Sequence, residues 1–419
     1  MSSRLTAPFL AVLALTAAAA ACEGPPRSVG ASGPAPAPLP QALPTQAAVD
    51  DAARLAPSLR ALALDLHHRV AVGDDNTVVS PASVAIALGM AQLGARGTTA
   101  DELAHALHLS TATGDGAALA GLAAVLQGKA ASWELASANR LWAAESLTLR
   151  PDYVERTGAS LARTDFAEPA AAARIINAWI AAQTRDRITD LISPAALSAS
   201  TRLVITNALY LKAAWRSRFS AGATEGAPFT ALDGSRVATL LMHQRGEFAL
   251  AAHGGAHAVA LPYAGGALSF IAILPDAPAD FRRYEQELDG ARLGDLLDHL
   301  APAQVSVSLP RFEVRASTPL RDALEALGVK AAFSDHADFS AIAAEPLRID
   351  AVIHQGYVRV DESGTEAAAA TAAVLVVRSI PPPSYDFRAD RPFLYVILHN
   401  TTGAILFIGR MVKPAPIAS

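Results

Sequence analysis

DESGTEAAAATAAVLVVRSIPPP, residues 361–383, carries two incompatible local instructions. Ser363-x-x-Glu366 is a capping box, and residues 367–373 after it are mostly alanine, the strongest helix former. Val374-Leu375-Val376-Val377 is the opposite, apolar and prone to extended structure. Arg378 comes next, and Pro381-Pro382-Pro383 stops any regular element. One reading is a short helix feeding a buried strand. The other is a segment with two conformations, whose small side chains let it slide between two strands without overpacking. Conflicts between local propensity and context tend to mark functional sites.

The flanking chain supplies a sheet. Thr77-Val78-Val79, Leu203-Val204-Ile205 and residues 268–274, 305–309, 358–360 and 394–398 are short β-type runs. Residues 52–70 repeat apolar side chains at helical spacing through Leu55, Leu59, Leu62 and Leu66. Ser80-Pro81 opens another helix, with Ser80 as N-cap and Pro81 at the first position, running through Val84, Ile86, Leu88, Met90 and Leu93. Residues 98–109 and 115–127 read as further helices; the second has no basic face, only Lys129 near its end. Strands and helices in mixed order, without a βαβ repeat, predict an α+β architecture with large, mainly antiparallel sheets. No linker or repeat divides residues 50–419.

With 52% apolar and 17% charged residues, the composition is that of a globular protein with a sizeable core. The net charge of −5 leaves no basic surplus, so neither nucleic acid nor a heparin-type activator is expected as a partner. Beyond the N-terminus no run of about 18 apolar residues suggests a membrane span.

Residues 1–21 read as an export signal, with Arg4 as the positive region and an apolar, Ala-rich stretch over residues 7–21. That stretch ends Ala19-Ala20-Ala21-Cys22, which resembles the bacterial lipobox whose cysteine is lipidated, although Ala19 stands where that motif prefers Leu. The alternative is an ordinary signal peptide with a stray cysteine. Cys22 is the only cysteine, so no disulfide can form within the chain. Residues 22–48 are rich in Pro, Ala, Gly and Ser and read as an extended tether. The expected organisation is a lipoprotein-type signal peptide at 1–21, a linker at 22–48 and one folded domain at 49–419. Its expected location is extracytoplasmic, touching a bacterial membrane only through the N-terminal lipid.

The sequence holds no G-x-S-x-G elbow, Walker loop, H-E-x-x-H or cysteine-based site, so no enzyme, cofactor or metal is expected. His253-Gly254-Gly255-Ala256-His257 is similar to an oxyanion loop or a two-histidine metal pair. The glycines between the histidines argue against the one-face helix such a pair uses, and the segment reads as a surface turn.

Several motifs in order resemble the serpin family, and the resemblance covers nearly all of residues 50–414. Glu362-Ser363-Gly364-Thr365-Glu366-Ala367-Ala368-Ala369-Ala370-Thr371-Ala372 is similar to the hinge of the reactive-centre loop in inhibitory members. Asn76-x-x-x-Ser80-Pro81-x-Ser83, Gly94-Ala95-Arg96-Gly97-Thr98-Thr99, Thr206-Asn207-Ala208-Leu209-Tyr210-Leu211-Lys212 with Trp215 and Phe219, Phe387-Arg388-Ala389-Asp390-Arg391-Pro392-Phe393 and Leu406-Phe407-Ile408-Gly409-Arg410 resemble its other signatures. Ala213-Ala214 departs from them where many members carry Gly or Lys.

The resemblance implies a large, mainly antiparallel central sheet, two smaller sheets, about nine helices and an exposed reactive-centre loop. It implies a monomer that acts as a suicide substrate of a serine protease. The protease attacks the loop, forms an acyl-enzyme, and is dragged across the molecule as the loop inserts into the central sheet. Counted from the hinge, the reactive bond joins Arg378 and Ser379, which implies a trypsin-like target; cleavage one residue earlier, after Val377, would suit an elastase-like one. If Thr365 enters facing inward, alternation puts Ala367, Ala369, Thr371, Ala373, Leu375 and Val377 on the same face, with Glu366 outward. Ser80, Ser83, Asn207 and His354 are implied to form a hydrogen-bonded cluster where the central strands part. Glu362 is implied to pair with Arg311 at the insertion point, beside Trp215. A non-inhibitory serpin serving as a binding or scaffold protein is the alternative.

Overall fold

The computed structural model describes residues 44–110, 115–126, 129, 130, 132–365 and 385–416. Helix α1 (Gln46–Ala53) starts three residues ahead of Val49, and α2 (Ala56–Val70) follows after a break. The sequence reads residues 52–70 as one helix. Pro57 divides it, because a proline in the first turn of α2 has no N–H to donate back and its ring crowds the preceding turn.

Strand β1 (Thr77–Val79) leads into α3 (Pro81–Gly94), and α4 (Gly97–Ala106), α5 (Asp115–Leu126), β2 (Lys129–Ala130) and β3 (Trp133–Ala144) follow. Next come α6 (Pro151–Thr157), β4 (Leu161–Thr164), α7 (Pro169–Gln183) and β5 (Leu203–Ala214). The middle of the chain holds β6 (Glu225–Thr230), β7 (Arg236–His253), β8 (Ala256–Pro262), β9 (Leu268–Pro275), α8 (Phe281–Glu287) and α9 (Gly290–Asp298). It continues through β10 (Ala301–Pro310), β11 (Phe312–Pro319), α10 (Arg321–Ala326), β12 (Ala351–Asp361) and β13 (Gly364–Thr365). The chain closes with β14 (Tyr385–Arg388), β15 (Phe393–His399) and β16 (Ala404–Met411). Ten α-helices lie among the described residues, close to the nine or so that the resemblance implies.

The central sheet has the order β11-β12-β13-β5-β3-β2, with β4 beside β3. β11–β12 and β5–β3 are antiparallel, whereas β5 and β12 run parallel, from Val204↔Ala351 to Tyr210↔Tyr357. The apolar runs in the sequence end at Ile205 and begin again only at Val358, yet both strands continue through Thr206, Asn207, His354 and Gln355. These polar residues are buried. The remaining strands follow one path, β1-β16-β15-β9-β8-β7-β10-β14 with β6 on β7, where two smaller sheets were expected. The 18-residue β7 joins them: its start pairs with β6, its middle with β10 and its last residues with β8.

Helix α3 packs against β3 and β5 on one side and β16 on the other, and every residue from 81 to 91 is buried. An apolar surface all round suits a helix enclosed between sheets. Ser80 caps it as expected, its Oγ accepting from the Ser83 N–H at 3.3 Å. The end of the chain is fixed by a buried ionic group. Arg410 Nη1 donates to Glu285 Oε2 at 2.9 Å, while its Nε and Nη2 donate to the carbonyls of Asp75 and Gly73. His67 Nε2 donates to the other Glu285 oxygen at 2.8 Å. Burial pushes the His67 pKa down, so Arg410 is the cation of the group. Breaking one partner out of such a buried pair costs about 3–5 kcal/mol. No helix among the described residues is long and apolar enough to cross a membrane.

Candidate functional site

The parallel strands β5 and β12 separate above Tyr210 and Tyr357, and β13 fills the opening. Gly364 and Thr365 pair antiparallel with Asp361 and Val360 on one side and with Ala214 and Ala213 on the other. Gly364 has φ +149, and a Cβ there would lie 2.0 Å from the Ala213 carbonyl oxygen, so only glycine fits this approach. Thr365 is fully buried, and its hydroxyl meets the Tyr263 hydroxyl at 2.5 Å. Of the hinge residues, Glu362, Gly364 and Thr365 are thus placed. Glu366, Ala367, Ala368, Ala369, Ala370, the bond between Arg378 and Ser379, and Cys22 lie outside the described residues.

The opening is clamped from the β5 side. The Trp215 indole donates to the Asp361 carbonyl at 2.8 Å, its backbone N–H to Ser363 at 2.9 Å, and the Phe219 N–H to Glu362 at 3.1 Å. Three successive carbonyls before β13 are therefore held by one short segment. Trp215 also stacks on Tyr263, 4.6 Å between ring centres. The Glu362 carboxylate accepts from Arg311 Nε at 2.7 Å and from the Thr224 hydroxyl. Burial alone would push the Glu362 carboxyl up, but the hydrogen bonds from Arg311 and Thr224 outweigh it and hold it below the usual carboxylate range. The sequence pairing of Glu362 with Arg311 is present; Thr224 and Tyr263 were not anticipated.

Below the opening a row of polar side chains crosses the sheet, fully buried at Asn207 and His354 and half-buried at Asn139. Asn139 on β3, Asn207 on β5 and His354 on β12 occupy one register. The Ser80 N–H donates to His354 Nε2 at 3.1 Å, so the ring proton sits on Nδ1 and is donated to Asn207 Oδ1. The Asn207 amide donates to Ser83 Oγ at 2.7 Å and Asn139 Oδ1 at 2.6 Å, and the Ser83 hydroxyl donates to Asn139 at 2.8 Å. Asn139 in turn donates to Ser137 Oγ at 2.8 Å. The four residues named from the sequence meet, and Asn139 and Ser137 complete the chain. Their alternation with apolar neighbours reads locally as a solvent face, because Ser83 and Asn207, the partners of Asn139, lie 56 and 68 positions away. Burial pushes the His354 pKa down to about 3, which keeps the imidazole neutral.

This architecture defines a serpin. Residues 57–414 match the family described as serpin (serine protease inhibitor), and the chain belongs to it. It is 39% identical over 370 residues to an uncharacterized serpin-like protein of Thermococcus kodakarensis, covering 85% of each chain. It is 35% identical to the leukocyte elastase inhibitor of Sus scrofa, over 81% of this chain and 93% of that one. The solved structure of native protease nexin-1 with heparin superposes with a TM-score of 0.78 at 30% identity, covering 87% of this chain and 100% of that one.

His354 stays neutral when folded, whereas a histidine in the unfolded chain takes up a proton near pH 6.5. The stability tied to it is complete above about pH 6.5 and falls toward pH 3 at about 1.4 kcal/mol per unit. Urea unfolding at pH 7 and pH 5 is expected to show a loss roughly 2 kcal/mol larger in the wild type than in His354→Ala. Equal losses in the two proteins would refute the neutral assignment.

Proposed function

We propose that this serpin is inhibitory: a serine-type endopeptidase inhibitor that acts as a suicide substrate and not as an enzyme. The observation that carries the reading is β13, two residues of the hinge lying antiparallel to both members of a parallel pair. A strand continuing from Thr365 would replace one parallel ladder by two antiparallel ones, the more stable pairing per residue. The register can be extended one rung at a time. Ala368 would fall between Tyr210 and Tyr357, which already face each other, and Thr371 between Asn207 and His354. The alanines would thus cross the tight part of the sheet. Thr371 would meet the polar row, offering a hydroxyl in place of the hydrogen bond it parts. Leu375 would reach Leu203, where β5 starts, about 34 Å from Thr365 at the strand rise.

That leaves Arg378 just beyond the far end of the sheet. A serine nucleophile attacking the Arg378 carbonyl forms an ester and releases the amine of Ser379; insertion then carries the esterified enzyme to the opposite pole. Arg378 suits a protease pocket with a buried carboxylate, so the proposed target is trypsin-like. The kinship with the porcine leukocyte elastase inhibitor fits cleavage after Val377 as the variant of the same mechanism.

The N-terminal reading completes the proposal: Cys22 carries lipid, and residues 22–48 tether the domain outside the cytoplasm of a bacterium. Cys22→Ala is expected to move the exported protein from the membrane fraction to the soluble fraction; unchanged partition would count against lipidation.

Incubated with trypsin, the full chain is expected to give an SDS-stable adduct and a released peptide beginning at Ser379. Arg378→Ala should abolish the adduct. Thr371→Arg, which would bring a charge to the buried row, should be cleaved at the same bond without trapping. Cleavage of the wild type without an adduct, by trypsin and by elastase-like enzymes alike, would support a binding or scaffold role instead.

A further inference from the structure

The hairpin between β7 and β8 turns through Gly254 and Gly255, both at positive φ, and its register decides what each histidine can reach. His253 is paired with Ala256, and Ala252 with His257. His253 and His257 therefore project from opposite faces of the ribbon and cannot share a ligand. His257 turns to Asp276 at 3.0 Å and stacks on Tyr385. His253 turns the other way, toward α9.

Helix α9 presents Asp295 and, one turn later, His299 at its C-cap, on one face. Asp295 Oδ2 lies 2.6 Å from His253 Nε2. His299 Nδ1 lies 2.7 Å from the Asp295 carbonyl oxygen and 3.6 Å from its Oδ1. The two imidazoles stack face to face, 3.8 Å between centroids and 10° from parallel. One nitrogen or oxygen from each of the three side chains lies within 4.8 Å of the others.

We propose that His253, Asp295 and His299 form a binding site for a divalent transition metal of the Zn²⁺ type. Two imidazoles and one carboxylate make a donor set that suits late first-row metals and does not suit Ca²⁺ or Mg²⁺. Metal bonds of about 2.0–2.2 Å in tetrahedral geometry set ligand atoms roughly 3.3 Å apart. The spread at this site needs to close by about 1.5 Å, which side-chain rotation supplies. Exposures of 36%, 58% and 49% for the side chains of His253, Asp295 and His299 leave room for that movement on the solvent side. The fourth position faces solvent and takes water.

The metal ties the last turn of α9 to the tip of the β7–β8 hairpin. Strand β10 starts two residues after His299 and pairs with β7 on one side and β14 on the other. The site therefore braces the entry to β10, the strand that pairs with β14, apart from the hinge and the polar row.

The test is calorimetric titration of the full chain, stripped with a chelator, with Zn²⁺ and separately with Ca²⁺, beside His253→Ala and His299→Ala. The expected result is one zinc ion per chain that each variant binds at least about tenfold more weakly, a melting temperature raised by Zn²⁺ in the wild type alone, and no response to Ca²⁺. Because these side chains are exposed, both variants are expected to fold, and their circular dichroism checks it. Zinc uptake of equal number and affinity in wild type and variants, or none in the wild type, would overturn the site.

Discussion

One pairing governs the molecule: β5 and β12 lie parallel in the middle of a sheet whose flanking long ladders, β3–β5 and β11–β12, are antiparallel. A parallel pair has slanted hydrogen bonds and is slightly less stable per residue, and it can be bettered only by a strand running between its members. The chain carries that strand itself. β12 ends at Asp361, turns within two residues, and returns as β13 into the gap its own departure from β5 has opened. The sheet is therefore closed at the bottom and started at the top, and the proposed mechanism is that more strand enters between its two parts.

Two sets of polar contacts decide how far the opening extends. At the top, Trp215, Phe219, Arg311 and Thr224 hold residues 361–363 by carbonyl and carboxylate. In the middle, Ser80, Ser83, Asn139, Asn207 and His354 stitch three strands to the start of α3. Buried polar groups of this kind are costly when unpaired, so the row resists partial opening more than an apolar interface would. It is also where the helix cap, the histidine tautomer and the strand register depend on each other. Ser80 uses its side chain to start α3 and its N–H to fix the imidazole of His354. Gly364 at the top plays the complementary part, since only a residue without Cβ can lie against the Ala213 carbonyl.

Much of this was legible in the sequence because its signals are local. Ser80-Pro81 announces a helix start by cap chemistry alone, and residues 361–383 announce a segment at odds with itself. The family likeness then pointed to Glu362 with Arg311 and to the cluster of Ser80, Ser83, Asn207 and His354, all of which meet. What stayed hidden depends on distant pairing. Asn139 and Ser137 sit in a strand whose alternation looks solvent-facing until β5 is laid beside it. The runs at Leu203-Val204-Ile205 and 358–360 gave strands far too short, since apolar patterning ends where the buried polar row begins. The parallel sense of β5 and β12, some 150 residues apart in sequence, leaves no local trace. Neither does the meeting of His253 with α9, which the reading of His253 and His257 as neighbours on one turn obscured.

The central claim is that the sheet of the intact chain is unfinished, and it is tested most directly by heat. The full chain, nicked between residues 366 and 383 by a metalloprotease, which forms no acyl-enzyme, and verified by mass, is compared with the uncut chain by scanning calorimetry. Completion of the sheet predicts a nicked form whose cooperative unfolding lies well above that of the intact protein, although a covalent bond has been lost. An unchanged or lower unfolding temperature would mean that the loop does not enter between β5 and β12, and would contradict the account.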